Sequence, residues 1–164
     1  MNAFFSVVRA IARACKKCKD YHKIIVEKST VPLGTAKELR KVLQDELQMS
    51  DGEVERHFSI VSKPEFLAEG SAIRDLMTPQ RVVIGTKNEK AFKVIQGLVG
   101  DVKIIRTEDT GSSELGKLLS NAFLAQRISS VNSMTELCEK TGGCNINEVK
   151  AIIASDERIG SKYL

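Results

Sequence analysis

The sequence predicts an α/β fold, a parallel sheet with helices packed against it, that passes into an all-helical region. Two observations carry this. Short runs apolar on both faces, at 23–26 (KIIV), 58–61 (FSIV), 81–85 (RVVIG) and 102–105 (VKII), alternate with charged stretches that repeat apolar residues at helical spacing. From Glu108 onward only the helical period continues. Strands buried on both faces and separated by helices form parallel sheets joined by right-handed crossovers.

Residues 3–19 carry an amphipathic stripe of Phe4, Val7, Val8, Ile11, Cys15 and Cys18, with Arg9, Arg13, Lys16 and Lys17 opposite, and read as a helix. The strand at 23–26 opens into EKSTVP at 27–32, and residues 35–47 (TAKELRKVLQDEL) form a crossover helix. The strand at 58–61 runs out into KPEFLAEG at 63–70. In open α/β sheets, polar groups just beyond the carboxyl ends of strands are where ligands bind. The third strand, 81–85, precedes a helix at 88–99 with Asn88 as its cap, and the fourth strand is 102–105. A long helix over 112–140, a Gly142-Gly143 break and a helix at 145–155, opening with Asn145 and Glu148 as a capping pair, complete the chain.

The long helix carries two polar residues that its apolar face does not need. Lys117 and Asn121 stand four positions apart, so a helix would align a cation and an amide on one face.

At 164 residues and 42% apolar content the chain can bury a core. Its charge of +4 comes from 25 basic and 21 acidic residues spread along the whole length. With no block of like charges, a nucleic-acid partner is not expected, while an anionic small ligand suits the sign. No run of about eighteen apolar residues exists to span a membrane, and Arg9 and Arg13 interrupt FFSVVRAIARAC where a signal peptide needs an unbroken apolar core. A cytoplasmic location is expected, with Cys15, Cys18, Cys138 and Cys144 as free thiols. Because Cys15 and Cys18 fall in a helical pattern, they read as a packed or half-exposed pair, and no metal site is expected.

No GxGxxG follows the first strand; Gly97 and Gly100 lie at a helix end before a strand, the reverse of the phosphate-binding order. Either the fold is not a dinucleotide fold, or the half with the fingerprint is not in these residues. Four segments point to the second: EKSTVP at 27–32, PEFLAEG at 64–70, SSELGKLLSNAFLAQRISSVNS at 112–133 and DERIGSKYL at 156–164. In this order and spacing they resemble the nucleotide-sugar dehydrogenases, the UDP-glucose/GDP-mannose dehydrogenase family, over essentially the whole chain.

The resemblance implies the C-terminal half of a Rossmann-type parallel sheet with flanking helices, followed by a long central helix and helical region. Residues 1–107 would be a partial NAD-binding domain and 108–164 the start of a central, dimerising domain. It further implies two NAD⁺-linked oxidations that convert UDP-glucose to UDP-glucuronate through a cysteine-bound thioester. Lys117 corresponds to the lysine that stabilises the developing oxyanion, and Asn121 to the amide that donates to the same oxygen. Glu65 corresponds to the glutamate that promotes thioester hydrolysis, and Thr30 to the threonine that helps hold a water beside the nicotinamide. Glu69 corresponds to a cofactor-side residue, and Arg158 to an arginine that reaches the neighbouring subunit's substrate site. Phe66 and Leu67 would contribute backbone contacts to the sugar nucleotide.

Lys63 departs from the family, which commonly has a small polar amide there. None of the four cysteines stands in the nucleophile's context, so an internal fragment, inactive alone, is expected. A relative acting on GDP-mannose or UDP-N-acetylmannosamine, and a non-catalytic helical dimerisation module, are the other readings. The stripe Leu118, Leu119, Ala122, Ala125 and Ile128 would pair the helix with a second copy.

Overall fold

The apolar runs become strands β1 (Lys23–Glu27), β2 (Phe58–Ser62), β3 (Val82–Gly85) and β4 (Ile104–Thr107). Helices α1 (Asn2–Cys15), α2 (Thr35–Leu47), α3 (Asp51–His57), α4 (Ala72–Met77) and α5 (Glu89–Val99) precede or join them. Two further helices follow, α6 (Thr110–Thr141) and α7 (Ile146–Ser155). The computed structural model describes residues 2–18 and 21–164, so Lys19, the last residue of the expected first helix, lies outside the described residues. The chain divides into two compact units, one ending at Leu118 and one beginning at Leu119.

In the first unit the strands lie side by side in the order β1-β2-β3-β4. β1 and β2 are parallel, in register from Lys23↔Phe58 to Glu27↔Ser62, and β3 and β4 are parallel from Val82↔Ile104 to Gly85↔Thr107. The expectation of an all-parallel sheet is corrected at its centre, where β2 and β3 run antiparallel and meet at Ser62↔Gly85. A parallel partner would require the chain to cross back over the sheet. The segment between these strands instead holds one short helix, α4, with no buried residue, and re-enters at the end where β2 finished.

Both faces of β2 are covered, which is why FSIVS is buried along its whole length. On one side Phe58 and Ile60 pack with Val8, Ala12 and Cys15 of α1, Leu39 and Leu43 of α2 and Val54 of α3. On the other, Val61 joins Val82 and Ile84 of β3 and Ala91, Phe92 and Ile95 of α5. The period-2 alternation of one strand thus divides the core into two layers.

Helix α5 starts as expected, its Asn88 side chain accepting the Ala91 N–H at 2.9 Å. Helix α3 opens with a capping box in which Glu53 accepts the Ser50 N–H at 2.7 Å. Helix α1 stops at Cys15 and not at 19, because its buried stripe ends there and Lys16, Lys17 and Cys18 are exposed. Strand β4 begins two residues late: Gly100 turns the chain at φ +70, with the Val102 N–H donating to its carbonyl.

In the second unit α6 ends in a left-handed Gly142, whose N–H donates to the Cys138 carbonyl at 3.1 Å. The turn brings Cys144 back onto the helix, and Cys138 and Cys144 form a disulfide with Cα atoms 5.1 Å apart. The expectation of four free thiols is therefore corrected; Cys15 and Cys18 remain free. Asn145 caps α7 by accepting the Asn147 N–H at 2.9 Å, and Glu148 joins through its backbone N–H to the Asn145 carbonyl.

Asn88→Ala should lower stability by about 1 kcal/mol in urea denaturation without changing the slope. Thiol titration of the denatured, unreduced protein should find the two cysteines of α1 and its end, and all four only after reduction.

Candidate active site

The parallel register sets the first part of the site. Glu27 and Ser62 are partners at the ends of β1 and β2, so Thr30 and Glu65, each three residues further on, leave the sheet at the same edge. Lys28 Nζ stands 2.5 Å from Glu65 Oε1. Burial, with Lys28 adding repulsion, pushes Lys63 below the ordinary lysine value, while Glu65 opposes the shift. The lysine that departs from the family pattern therefore lies within the field of this ion pair.

The second part comes from α6, whose first turns are clamped to the sheet. Ser62 Oγ donates to Ser113 Oγ at 3.1 Å, and a Cβ on Gly85 would lie 2.7 Å from Ser113 Cβ, Thr107 Oγ1 and the Asp109 carbonyl. Glu114 accepts the N–H of Gly34 at 2.6 Å and of Ala36 at 2.8 Å, holding the start of α2 against α6. Lys117 follows Glu114 by three residues and is only 6% exposed, unlike an ordinary solvated helix lysine.

Lys117 Nζ lies 4.8 Å from the centre of the Phe66 ring, and the Arg81 guanidinium carbon lies 4.4 Å from the same centre. Aromatic faces attract cations, so one ring from PEF draws both toward it. Burial lowers the Lys117 ammonium below its usual value, Arg81 pushes it further down, and Glu65 draws it back up. A partly dehydrated cation under such control can stabilise negative charge developing on a substrate oxygen.

The structure thus gathers Glu65, Phe66 and Lys117, with Thr30 exposed at the same sheet edge. Leu67 and Glu69 are exposed on the loop that follows β2. Asn121 and Arg158 belong to the second unit; both are exposed, and Arg158 binds Asp156 through Nε at 3.0 Å and Nη2 at 2.7 Å. Sequence reasoning missed Lys28, Arg81 and Glu114. Lys28 and Glu114 carried one signal, their places inside EKSTVP and SSELGKLL, whereas Arg81 read as the edge of a strand. A groove of about 880 Å³ opens elsewhere in this unit, past Lys37, Arg40, Asp51, Glu55, Lys87 and Glu108. Its lining of both signs favours no ion, and it includes neither Glu65 nor Lys117.

A largely parallel sheet whose strand ends face a buried lysine is the architecture of the Rossmann-type dehydrogenases. Residues 1–101 match the NAD binding domain of the UDP-glucose/GDP-mannose dehydrogenase family, and residues 111–164 match its central domain. The chain belongs to that oxidoreductase family. It is 49% identical over 150 residues to UDP-glucose 6-dehydrogenase 4 of Arabidopsis thaliana, covering 87% of this chain and 30% of that protein. It is 42% identical over 165 residues to UDP-glucose 6-dehydrogenase of Mus musculus, covering 96% of this chain and 32% of that protein. The solved UDP-glucose dehydrogenase of the hyperthermophilic archaeon Pyrobaculum islandicum superposes with a TM-score of 0.85 at 32% identity, over 98% of this chain and 36% of that one. The chain spans about a third of the length of these relatives.

The charges around Lys117 make a signed prediction. Arg81→Ala should raise the Lys117 pKa by removing a repelling cation, and Glu65→Gln should lower it by removing an attracting anion. Heteronuclear NMR titration of the lysine Nζ signals reads both; shifts in the same direction would refute this electrostatic picture.

Proposed function

We propose that this chain is part of an NAD-dependent UDP-glucose 6-dehydrogenase, which oxidises UDP-glucose to UDP-glucuronate in two steps. The observation that carries the reading is the buried Lys117 over Phe66, under the charge of Glu65 from the carboxyl end of the parallel pair β1–β2. The identities to UDP-glucose 6-dehydrogenases support the choice of substrate.

In this proposal Lys117 stabilises the oxyanion that develops at the sugar C6, and the Asn121 amide donates to the same oxygen. Glu65, released from Lys28, serves as the base for hydrolysis of a thioester on a cysteine outside these residues. Thr30 holds a water beside the cofactor, Glu69 lies on the cofactor side, and the backbone of Phe66 and Leu67 contacts the sugar nucleotide. Arg158 serves a neighbouring subunit, its exposed fork suited to an anionic group once it leaves Asp156. The exposed Leu119 and Ile128 of α6 support a homodimer or higher oligomer through the central helix.

The edge with exposed Thr30 and the charged Glu65 suits the nicotinamide end of NAD, which when bound supplies the hydride acceptor. The pyrophosphate cradle is not among these residues, which contain no GxGxxG. We assign 1–107 to the partial NAD-binding domain and 108–164 to the start of the central domain.

The 164-residue chain alone should form no NADH from UDP-glucose and NAD⁺. Spliced in place of the matching segment of the Arabidopsis relative, it should restore NADH formation, and Lys117→Ala in that hybrid should reduce kcat by roughly 10²–10³. A hybrid unaffected by Lys117→Ala, or one that oxidises GDP-mannose in preference, would overturn the assignment.

A further inference from the structure

Two carboxylates are buried together behind the site, and only one of them has donors. Glu27 at the end of β1 and Glu114 on α6 are each 2% exposed. Glu114 uses both oxygens, Oε2 for the Gly34 N–H and Oε1 for the Ala36 N–H. Neither oxygen of Glu27 receives a hydrogen bond among the described residues. The polar groups that reach Glu27 are the Glu114 carboxylate, from α6, and the Ser62 hydroxyl, from β2, which already donates to Ser113. Of the nearby lysines, Lys28 is paired with Glu65, and Lys63 meets this strand through its backbone, its N–H donating to the Glu27 carbonyl at 2.9 Å.

A second negative charge in this place would be desolvated, repelled and unpaired at once. A proton on Glu27 removes all three costs. It also turns a meeting of two acceptors into an O–H···O⁻ hydrogen bond, the charge-assisted kind. The proton sits on Glu27 because the backbone amides of α2 already donate to Glu114.

We propose that Glu27 and Glu114 share one proton, held on Glu27, and that this acid–carboxylate pair latches the loop carrying Lys28 and Thr30 onto the turns of α6 that carry Lys117. Glu27 is on this account a positioning residue, acting through Glu114 and the start of α2. The latch depends on pH. Burial, reinforced by the Glu114 charge, raises Glu27 from 4.5 to about 8. An acid whose folded pKa is raised binds a proton the unfolded chain has released, so its stabilising effect is complete below pH 4.5 and is lost as the pH rises toward about 8.

The proposal rests on the first unit's geometry and not on the reaction, so its test needs no turnover. E27Q keeps a neutral donor of the same shape in place of the acid. In thermal melts of the full chain, wild type and E27Q should coincide near about pH 5, with the wild type falling behind by at least about 5 °C near pH 9. Melting curves that keep a constant offset across that window would overturn the proposal. Infrared spectra at neutral pH supply a second measurement should E27Q fail to fold. The wild type should show a protonated carboxylic carbonyl band when all exposed acids are ionised, and its absence would overturn the proposal equally.

Discussion

The fold of the first unit depends on one carboxylate that caps a helix from 80 residues away. Helix α2 begins after a left-handed Gly34 that has no side chain to offer the first-turn amides, and a helix start without acceptors is costly. Glu114 supplies both missing acceptors, with its charge at the positive end of the α2 dipole. The same contact places α6, so the position of Lys117 follows from how α2 is terminated. The loop after β1, the start of α2 and the first turns of α6 therefore form one mechanical piece.

Within that piece the charged groups are held in opposition. Lys117 is depressed by burial and by Arg81 and supported by Glu65, while Glu65 is itself occupied by Lys28. Phe66 draws two cations to one ring, so changing its shape would move both. Glu65 thus links the Lys28 ion pair to the charge balance at Lys117.

Much of this was legible in the residues. The strands, α2, α5 and the span of α6 follow from hydrophobic period, and the Asn88 cap from its type and place. Helices α3 and α4 escaped because, at 7 and 6 residues, they are too short to show a period. The direction of β3 escaped because an apolar run reads alike in either direction; the connection decides, not the strand. The Cys138–Cys144 bond depended on Gly142 folding the chain back at a helix end that composition places only loosely. Lys117 and Glu65 were found by the words around them, whereas Glu27 and Glu114, in two of the same segments but 87 residues apart, carried no sign of each other. Only the tertiary fold makes those two neighbours.

The central seam of the sheet has its own consequence. Two parallel ribbons, β1–β2 and β3–β4, are joined at Ser62↔Gly85, where the helix bearing Lys117 comes too close for any side chain on Gly85. The seam therefore fixes where the head of α6 can rest: any residue larger than glycine at position 85 would push against Asp109 and Ser113, and so against the helix turns that lead to Lys117. The closeness of the Lys117-bearing helix to the sheet thus depends on a glycine that lies outside the cluster of Glu65, Phe66 and Lys117.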